Sequence, residues 1–600
     1  MSVRDSQMPN FLYIVDPDQS RRASFVARAR AELAFLPQLE ISVSPTARAD
    51  FLAAVAPGAP LSHHFSDTGA LHLLGDALTP DNRLAVDARA LASASGPDFD
   101  APATCNGYYV AARYDTLLGH RIEADVLGLF PVYYWWSGEV LLVGSSPACF
   151  RHHPLFRWGF DLHAAAALLL TSGLVDGRTL VPGVRRLARD HVLLFRPGEG
   201  ARELPPPPLP ATTAAPEIRD VVAEVHARHS RFIAASLARS RRPGNLLSGG
   251  LDSRILAGIT AELEIQPHCL TFGRTSDMDA ICAAGVARTL DLPLTRLDVD
   301  FARYPQHAEA SVAWEQLSGG LYSIPIGWNL AHTPRDFEID RIVCGLTLDA
   351  VVGGAKAVAS TDSGARFDQL RIGTLGFDTA ELEQLIRDPA LKAACADIRA
   401  RVVDNYLRSG VTDHERTWWT NLLHRQRFPV GNCAWRYAAY AWPVLPALDR
   451  SLVALMASLP PELTAKRRVQ SGLLTTRFPE LAALELDRNY FDTRPLIGDR
   501  NLIQKITRRA TKLSRIVQMH LGRETRFYVR TMDFNSPGWR AIRTSAEPHR
   551  QDVAGLFHAA ALDRILPAPN RRARRRSDPI IHSTPLKNTV GLLRWFGRYS

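Results

Sequence analysis

The sequence predicts a two-domain chain, with a β-layered α+β half followed by an α/β half built on a parallel sheet. Three observations lead there. The chain has 600 residues, more than a single hydrophobic core ordinarily organises. Its first part carries short alternating apolar runs broken by turns, whereas its second part alternates strand-like runs with stretches of helical spacing. Between them Pro205–Pro208 reads as a stiff, extended linker, which divides the chain into residues 1–208 and 209–600.

In the first half, Phe11–Val15 opens as a strand and Leu71–Leu74 is a second apolar run. Gly107–Asp115 alternates as a half-buried strand does, and Arg121–Trp135 passes through a Gly-x-x-Pro turn into an aromatic strand. A hairpin at Ser137-Gly138-Glu139 leads into Val140–Ser146. Leu162–Leu170 has helical spacing, and Val192–Phe195, closed by Arg196-Pro197-Gly198, reads as the terminal strand of this half.

The second half opens with a helix expected over Ile218–Leu237, from the apolar spacing of Ile218, Val222, Val225, Phe232 and Ala235. It delivers the chain to Asn245-Leu246-Leu247-Ser248-Gly249-Gly250-Leu251-Asp252-Ser253-Arg254, a strand end that turns through Ser-Gly-Gly into a helix. Such a turn presents backbone N–H groups and a helix N-terminus to one small volume, which suits an anion. Glycine lets the backbone close around phosphate oxygens. An acid inside a phosphate cradle makes sense through a bridging Mg²⁺, so the stretch asks for a nucleotide with its metal. The loop lacks the lysine of G-x-x-x-x-G-K-[ST] and is not G-x-G-x-x-G. Next come a strand at His268–Gly273, a helix over Ala280–Leu290, an apolar element from Leu294 to Asp300, and a strand at Asp340–Cys344. This alternation argues for an open parallel sheet with its ligand at the carboxyl ends of the strands. Gly345 and Asp349 follow the last of these strands, where Asp349 can face Asp252 and share a metal with it.

S-G-G-x-D-S resembles the pyrophosphate loop of the ATP-pyrophosphatases that activate a carboxylate as an adenylate. The strand order of the first half, with its Gly-x-x-Pro turn and hairpin, resembles the Ntn-type glutamine amidotransferase domain of the asparagine synthetase family. The stretch from Gly345 through Asp349 to Gly353-Gly354 is similar to that family's S-G-x-G-x-D-E-x-x-G-G, although Leu346 and Ala350 stand where family members carry an acid or a tyrosine. Arg436–Asp449 is similar to a further family segment, with Pro446 and Asp449 kept. The resemblance implies that ATP is held by Leu247, Ser248, Gly249, Gly250, Leu251, Asp252 and Ser253. It also implies that Thr271, Phe272 and Gly273 border the base, that Gly345 flanks the site, and that Mg²⁺ sits on Asp252 and Asp349. A cation from Lys466-Arg467-Arg468 would reach the phosphates, and Lys466 and Arg468 join Asp252 and Asp349 as the expected catalytic set. The general base must come from elsewhere. Ser2 stands where glutamine-hydrolysing members have a nucleophilic cysteine, so the first domain is expected to lack glutaminase activity.

Without ammonia from glutamine, the amine belongs to the substrate, and ring closure follows. Among ring-forming branches the chain is most similar to the lasso-peptide cyclases, and the residue at Leu346 departs from the tyrosine of β-lactam synthetases. That resemblance implies adenylation of an Asp or Glu side chain of a precursor core peptide, macrolactam closure by its N-terminal amine, and a leader peptidase as partner. An ammonia-using asparagine synthetase, a β-lactam synthetase-like ring closure and a catalytically silent nucleotide-binding scaffold are the alternatives. Hydrophobic content of 46% and charged content of 22% are those of a soluble globular protein. The seven cysteines show no C-x-x-C spacing and read as thiols of a reducing compartment. No signal peptide or membrane span is legible, so a cytoplasmic location is expected. The net charge of +10 is concentrated late, notably at Arg571–Arg576, and comes with no nucleic-acid-binding motif.

Overall fold

The computed structural model describes residues 10–33, 39–46, 48–56, 58–94, 104–206, 217–322, 324, 337–353, 366–370, 376–488, 491–498, 502–573 and 583–599. Ser2, Gly354, the linker residues 207–208 and residues 574–576, all singled out above, lie outside them.

The fold is mixed, with antiparallel and parallel sheets. The first half layers two six-stranded antiparallel sheets. One runs, in spatial order, Arg185–Arg186, Tyr133–Ser137, Val140–Gly144, Asn10–Val15, Ala49–Val55 and Glu40–Pro45. The other runs Gly200–Leu204, Val192–Arg196, Gly119–Ala124, Tyr109–Asp115, Gly69–Gly75 and Leu61–Ser66. Val192–Arg196 is therefore not the terminal strand. The chain turns back at Pro197–Glu199 and pairs Gly200–Leu204 against it, since a Pro-Gly turn favours a hairpin as readily as an exit.

The second half holds a five-stranded, all-parallel sheet in the order Leu294–Leu297, His268–Phe272, Pro243–Leu246, Arg341–Val343 and Trp442–Val444. The helix Ile218–Leu237 forms as its apolar spacing predicts, and it buries Val222, Val225, Phe232 and Ala235. The edge strand Trp442–Val444 comes from the stretch similar to the family segment, and its Pro443 sits where an edge strand tolerates a missing N–H. Asp449 of the same stretch caps the helix Arg450–Ser458, accepting from the N–H groups of Ser451 and Leu452 at 2.8 and 3.1 Å. The last helix, Thr584–Tyr599, buries Trp595.

The sheets segregate between the halves, but the apolar core does not. One continuous cluster runs from Phe11 and Tyr108 to Trp442 and Leu486. Trp442 is its keystone between halves: its Nε1–H donates to the Tyr108 carbonyl at 3.0 Å and its ring lies 5.6 Å from that of Tyr108. Arg341 reaches Asp76 at 2.7 Å, Asn82 donates to Asp449 at 2.7 Å, and Arg427 donates to the Leu187 carbonyl. All seven cysteines are buried free thiols, and no helix among the described residues is long and apolar enough to cross a membrane.

Because the two halves share this core, Trp442→Ala is expected to cost about 3–5 kcal/mol, the range for a buried tryptophan truncated to alanine. Both sheet systems should lose protection together. Denaturant unfolding followed by circular dichroism and by proteolytic fragment mapping checks this. Selective loss of the parallel-sheet half alone would contradict a shared core.

Candidate active site

The site is built by the parallel pairing of Pro243–Leu246 with His268–Phe272 on one side and Arg341–Val343 on the other. Parallel neighbours end at the same edge, so the segments that continue from them meet there. A cavity of about 190 Å³ lies at that edge. Its wall includes Leu247, Ser248, Gly250, Leu251, Asp252 and Ser253 from the glycine loop, Phe272 from the next strand, and Gly345 and Leu346 from beyond the third.

Asp252 lies in the first turn of the helix Leu251–Glu262, and the Gly250 cap offers that turn no side-chain hydrogen bond. A Cβ added to Gly345 would lie 3.0 Å from the Asp252 Cβ, so glycine lets the two segments touch. Asp349 is not on a strand but in the first turn of the short helix Leu348–Val352. Thr347 starts that helix at φ 68°, which for a β-branched residue is a strained conformation of order 1–3 kcal/mol. Burial first, and then the charge of Asp349, push the Asp252 carboxyl up to about 7, with Arg467 and the Gln470 amide 3.3 Å away acting in the opposite sense. Two carboxylates that repel one another, Asp349 half-exposed, form a donor pair suited to a divalent cation. Among the described residues no group of three or more His, Cys, Asp or Glu side chains surrounds a metal position. Protein ligands beyond this pair would therefore have to be neutral oxygens, with phosphate and water completing the shell as hard cations accept.

Within the glycine loop the amides are engaged internally. Ser248 N–H donates to Ser253 Oγ at 3.0 Å, Gly250 N–H to Ser248 Oγ at 3.3 Å, and Gly249 N–H to Asp279 Oδ1 at 2.6 Å. Gly249 faces away from the cavity, toward Asp487 and Cys282, whose Cβ atoms would lie 2.8 and 2.9 Å from a Cβ placed there. Its glycine serves close packing.

The basic triplet resolves differently from expectation. Arg467 lines the cavity and lies 3.6 Å from Asp349. Arg468 turns away and donates to the Glu462 carbonyl at 2.8 Å, and Lys466 does not line the cavity. The reason is backbone geometry: Lys466 and Arg467 both adopt left-handed φ, at 55° and 59°, which swings the middle residue alone into the site. Thr271 and Gly273 are likewise outside the cavity wall. Leu270 and Phe272 face it, so Thr271 between them faces the other side of the sheet, as strand alternation requires. Gly273 makes the turn beyond, at φ 109°.

Four cavity residues were not anticipated as site residues. Asp279 supports the loop, and Tyr437, Phe527 and Tyr528 complete the wall, the last two from the chain's final hundred residues. Burial, above all, holds both tyrosine hydroxyls well above their ordinary pKa, so they are proton donors to a ligand at neutral pH and not bases. Of these only Asp279 had a legible signal, as an acid at the start of the helix after the second strand. Arg254 is buried beneath the loop, donating to the carbonyls of Leu481 and Glu485 at 2.6 Å each, and so acts structurally.

No protein-family model and no curated protein matches this chain. Among solved structures it is similar to the glutamine phosphoribosylpyrophosphate amidotransferase of B. subtilis in complex with ADP and GMP, at 9% identity and a TM-score of 0.21. That match covers 48% of this chain and 65% of that structure, slightly under two thirds of its length. It is also similar to a structure described as the allosteric regulatory enzyme of purine biosynthesis, at 10% identity and a TM-score of 0.20, covering 52% of this chain and 73% of that one. Likenesses at scores this low carry no argument about the activity of this chain.

Burial first, and then Asp487, push the Asp279 carboxyl up to about 7, against the hydrogen bond from Gly249. The ordinary carboxyl of an unfolded chain titrates near 4. Between those values the folded chain holds a proton that the unfolded chain has lost, so the group's penalty is absent below about pH 4 and complete above about pH 7. Asp279→Asn keeps an acceptor for Gly249 and removes the titration. Its stability relative to the parent should rise as pH is raised from 4 to 8, measured by urea unfolding at each pH. A constant difference across that range would refute the buried-acid account.

Proposed function

We propose that this protein is an ATP-dependent, AMP-forming carbon–nitrogen ligase. In this reading it adenylates an Asp or Glu side-chain carboxylate of a precursor core peptide, which its own N-terminal amine then attacks to close a macrolactam. The observation that carries the reading is the convergence of Asp252 and Asp349 at the carboxyl edge of a parallel sheet, beside the Ser248–Ser253 turn and Arg467.

The chemistry follows from what each group offers. A carboxylate oxygen of the substrate attacks the α-phosphorus of ATP, the bond to the β-phosphate oxygen breaks, and pyrophosphate leaves. The amine then attacks the acyl carbon, AMP departs with the C–O bond pair, and the amine loses a proton to give the amide. Mg²⁺ held by Asp252 and Asp349 would neutralise the polyphosphate. Arg467 is placed to meet charge that builds on pyrophosphate, with a guanidinium that is always cationic and able to hold two oxygens. The helix starting at Leu251 adds the positive end of its dipole. Phe272 and Phe527, whose rings lie 6.3 Å apart and within 21° of parallel, offer an apolar wall for the rest of the nucleotide. Leu346 in the wall carries no acid–base function, and the buried phenols of Tyr437 and Tyr528 can orient a carbonyl oxygen by donating to it. The leader peptidase and the peptide belong to this proposal as partners.

Asp252→Ala and Asp349→Ala should each abolish AMP and pyrophosphate release. Arg467→Ala should lower the rate by about 10²–10³, the scale for losing one electrostatic donor to a transition state, whereas Lys466→Ala and Arg468→Ala should stay within a few-fold of the parent. Incubation with ATP and leader-free core peptides, read by mass spectrometry, should give a product lighter by one water. Amide formation from free aspartate and ammonium would instead favour an asparagine synthetase. Nucleotide binding with no turnover on any carboxylate would favour a scaffold.

A further inference from the structure

A second cavity lies apart from the one above. A space of about 460 Å³ lies between residues 491–494 and one side of the helix Leu502–His520. Arg494, Lys505, Arg508, Arg509 and Lys512 line it against a single acid, Asp492. That acid is already engaged: Arg494 holds both its oxygens at 2.8–3.1 Å, and although burial raises the carboxyl pKa, Arg494 brings it below the ordinary value. Lys505, Arg509 and Lys512 have no acidic partner among the described residues. The helix itself contains no Asp or Glu.

This helix differs from an ordinary surface helix in leaving its apolar side uncovered by any described residue. Its cationic side borders the open cavity, with Lys505, Arg509 and Lys512 exposed there, while Ile503, Ile506, Leu513 and Val517 on the other side are 49–71% exposed as well. Gathering like charges around a cavity is unfavourable unless an anion fills it, and exposed aliphatic side chains gain nothing from water. Among the described residues no carboxylate pairs with Lys505, Arg509 or Lys512 to balance this arrangement.

Geometry selects the kind of anion. Lys505 and Lys512 are seven residues apart, about 10 Å along a helix, with Arg508 and Arg509 one turn from each. Alternate side chains of an extended peptide project to one side about 6.7 Å apart. Carboxylates at every second position of such a strand therefore meet cations on successive turns, whereas one isolated phosphate engages only part of the row. The chain around residues 491–494 also ties the cavity to the candidate active site. Asp487 N–H donates to the Gly249 carbonyl at 3.0 Å, and Phe491 of the cavity wall stacks with Arg526 at 4.3 Å, next to Phe527 of the active-site wall.

We propose that this cavity binds an extended, carboxylate-bearing segment of the peptide substrate and so holds the peptide beside the glycine loop. The proposal rests on the reading of the chain as a peptide-activating ligase only for the identity of the ligand. The test is fluorescence anisotropy on the full chain without nucleotide, using labelled hexaglutamate and hexaglutamine peptides. Hexaglutamate should bind and hexaglutamine should not. The triple variant K505E/R509E/K512E should weaken binding at least tenfold, and the milder K505Q/R509Q/K512Q should weaken it less, with unchanged melting temperature for the latter. Reversing three exposed arginines elsewhere, R28E/R30E/R89E, should leave binding within twofold. Equal binding of the two peptides, equal losses in the control triple, or displacement by a DNA duplex at lower concentration than by free hexaglutamate would each overturn the proposal. Asp252→Ala separates the two readings, because it should stop AMP release and leave peptide binding intact.

Discussion

The close approach of two backbone segments at the carboxyl edge of the parallel sheet is the constraint on which the rest of the site depends. Gly345 lies against Asp252, where any side chain would meet the Asp252 Cβ at 3.0 Å. That contact draws the helix bearing Asp349 to the helix bearing Asp252, and it sets two like charges near one another, with the Asp349 side chain 45% exposed. Such a pair is unstable in itself, as the raised pKa of Asp252 registers, and it is stabilised by positive charge from Arg467 or from a metal. The strained backbone at Thr347, Lys466 and Arg467 sits around the same cleft. Strain of this kind persists where surrounding packing over-determines the chain, and here the surroundings are the core shared by both halves.

That shared core gives the first half a physical role whatever its chemistry. Tyr108 receives the indole N–H of Trp442, and Trp442 belongs to the strand beside Arg341–Val343, which leads directly to Gly345. Asp76 holds Arg341 on the same strand. The antiparallel layers therefore buttress the edge of the parallel sheet that carries Asp349. Contacts as large and as apolar as these differ from the polar interfaces typical between mobile domains.

On the other side, residues 481–488 and 491–494 act as a strap. It is pinned beneath the glycine loop by Arg254 and by the Asp487–Gly249 hydrogen bond, and its far end walls the cationic cavity. Residues 481–488 thus touch the phosphate-type turn, and residues 491–494, close by in the chain, wall the basic cavity. A loop packed on both sides can report occupancy of one cavity to the other through small shifts, because packed elements move as units.

Local order was legible in the residues themselves. The Ile218–Leu237 helix, the strand–turn–helix of Ser248–Ser253 and the strand leading to Gly345 follow from spacing of 3.6 or 2 and from glycine, which are properties of neighbours in the chain. The meeting of Asp252 with Asp349 was also foreseeable, since adjacent parallel strands end together. What only the tertiary structure decided is which side chains reach the cleft from afar. Arg467 enters and Lys466 and Arg468 do not, because two left-handed residues re-aim the chain there. Thr271 is excluded by the phase of its strand, and Phe527 and Tyr528 arrive from a region with no motif. The placement of the basic face of Leu502–His520 beside residues 491–494 is of the same kind: amphipathicity is written in the sequence, but which segment each face meets is set by the tertiary structure.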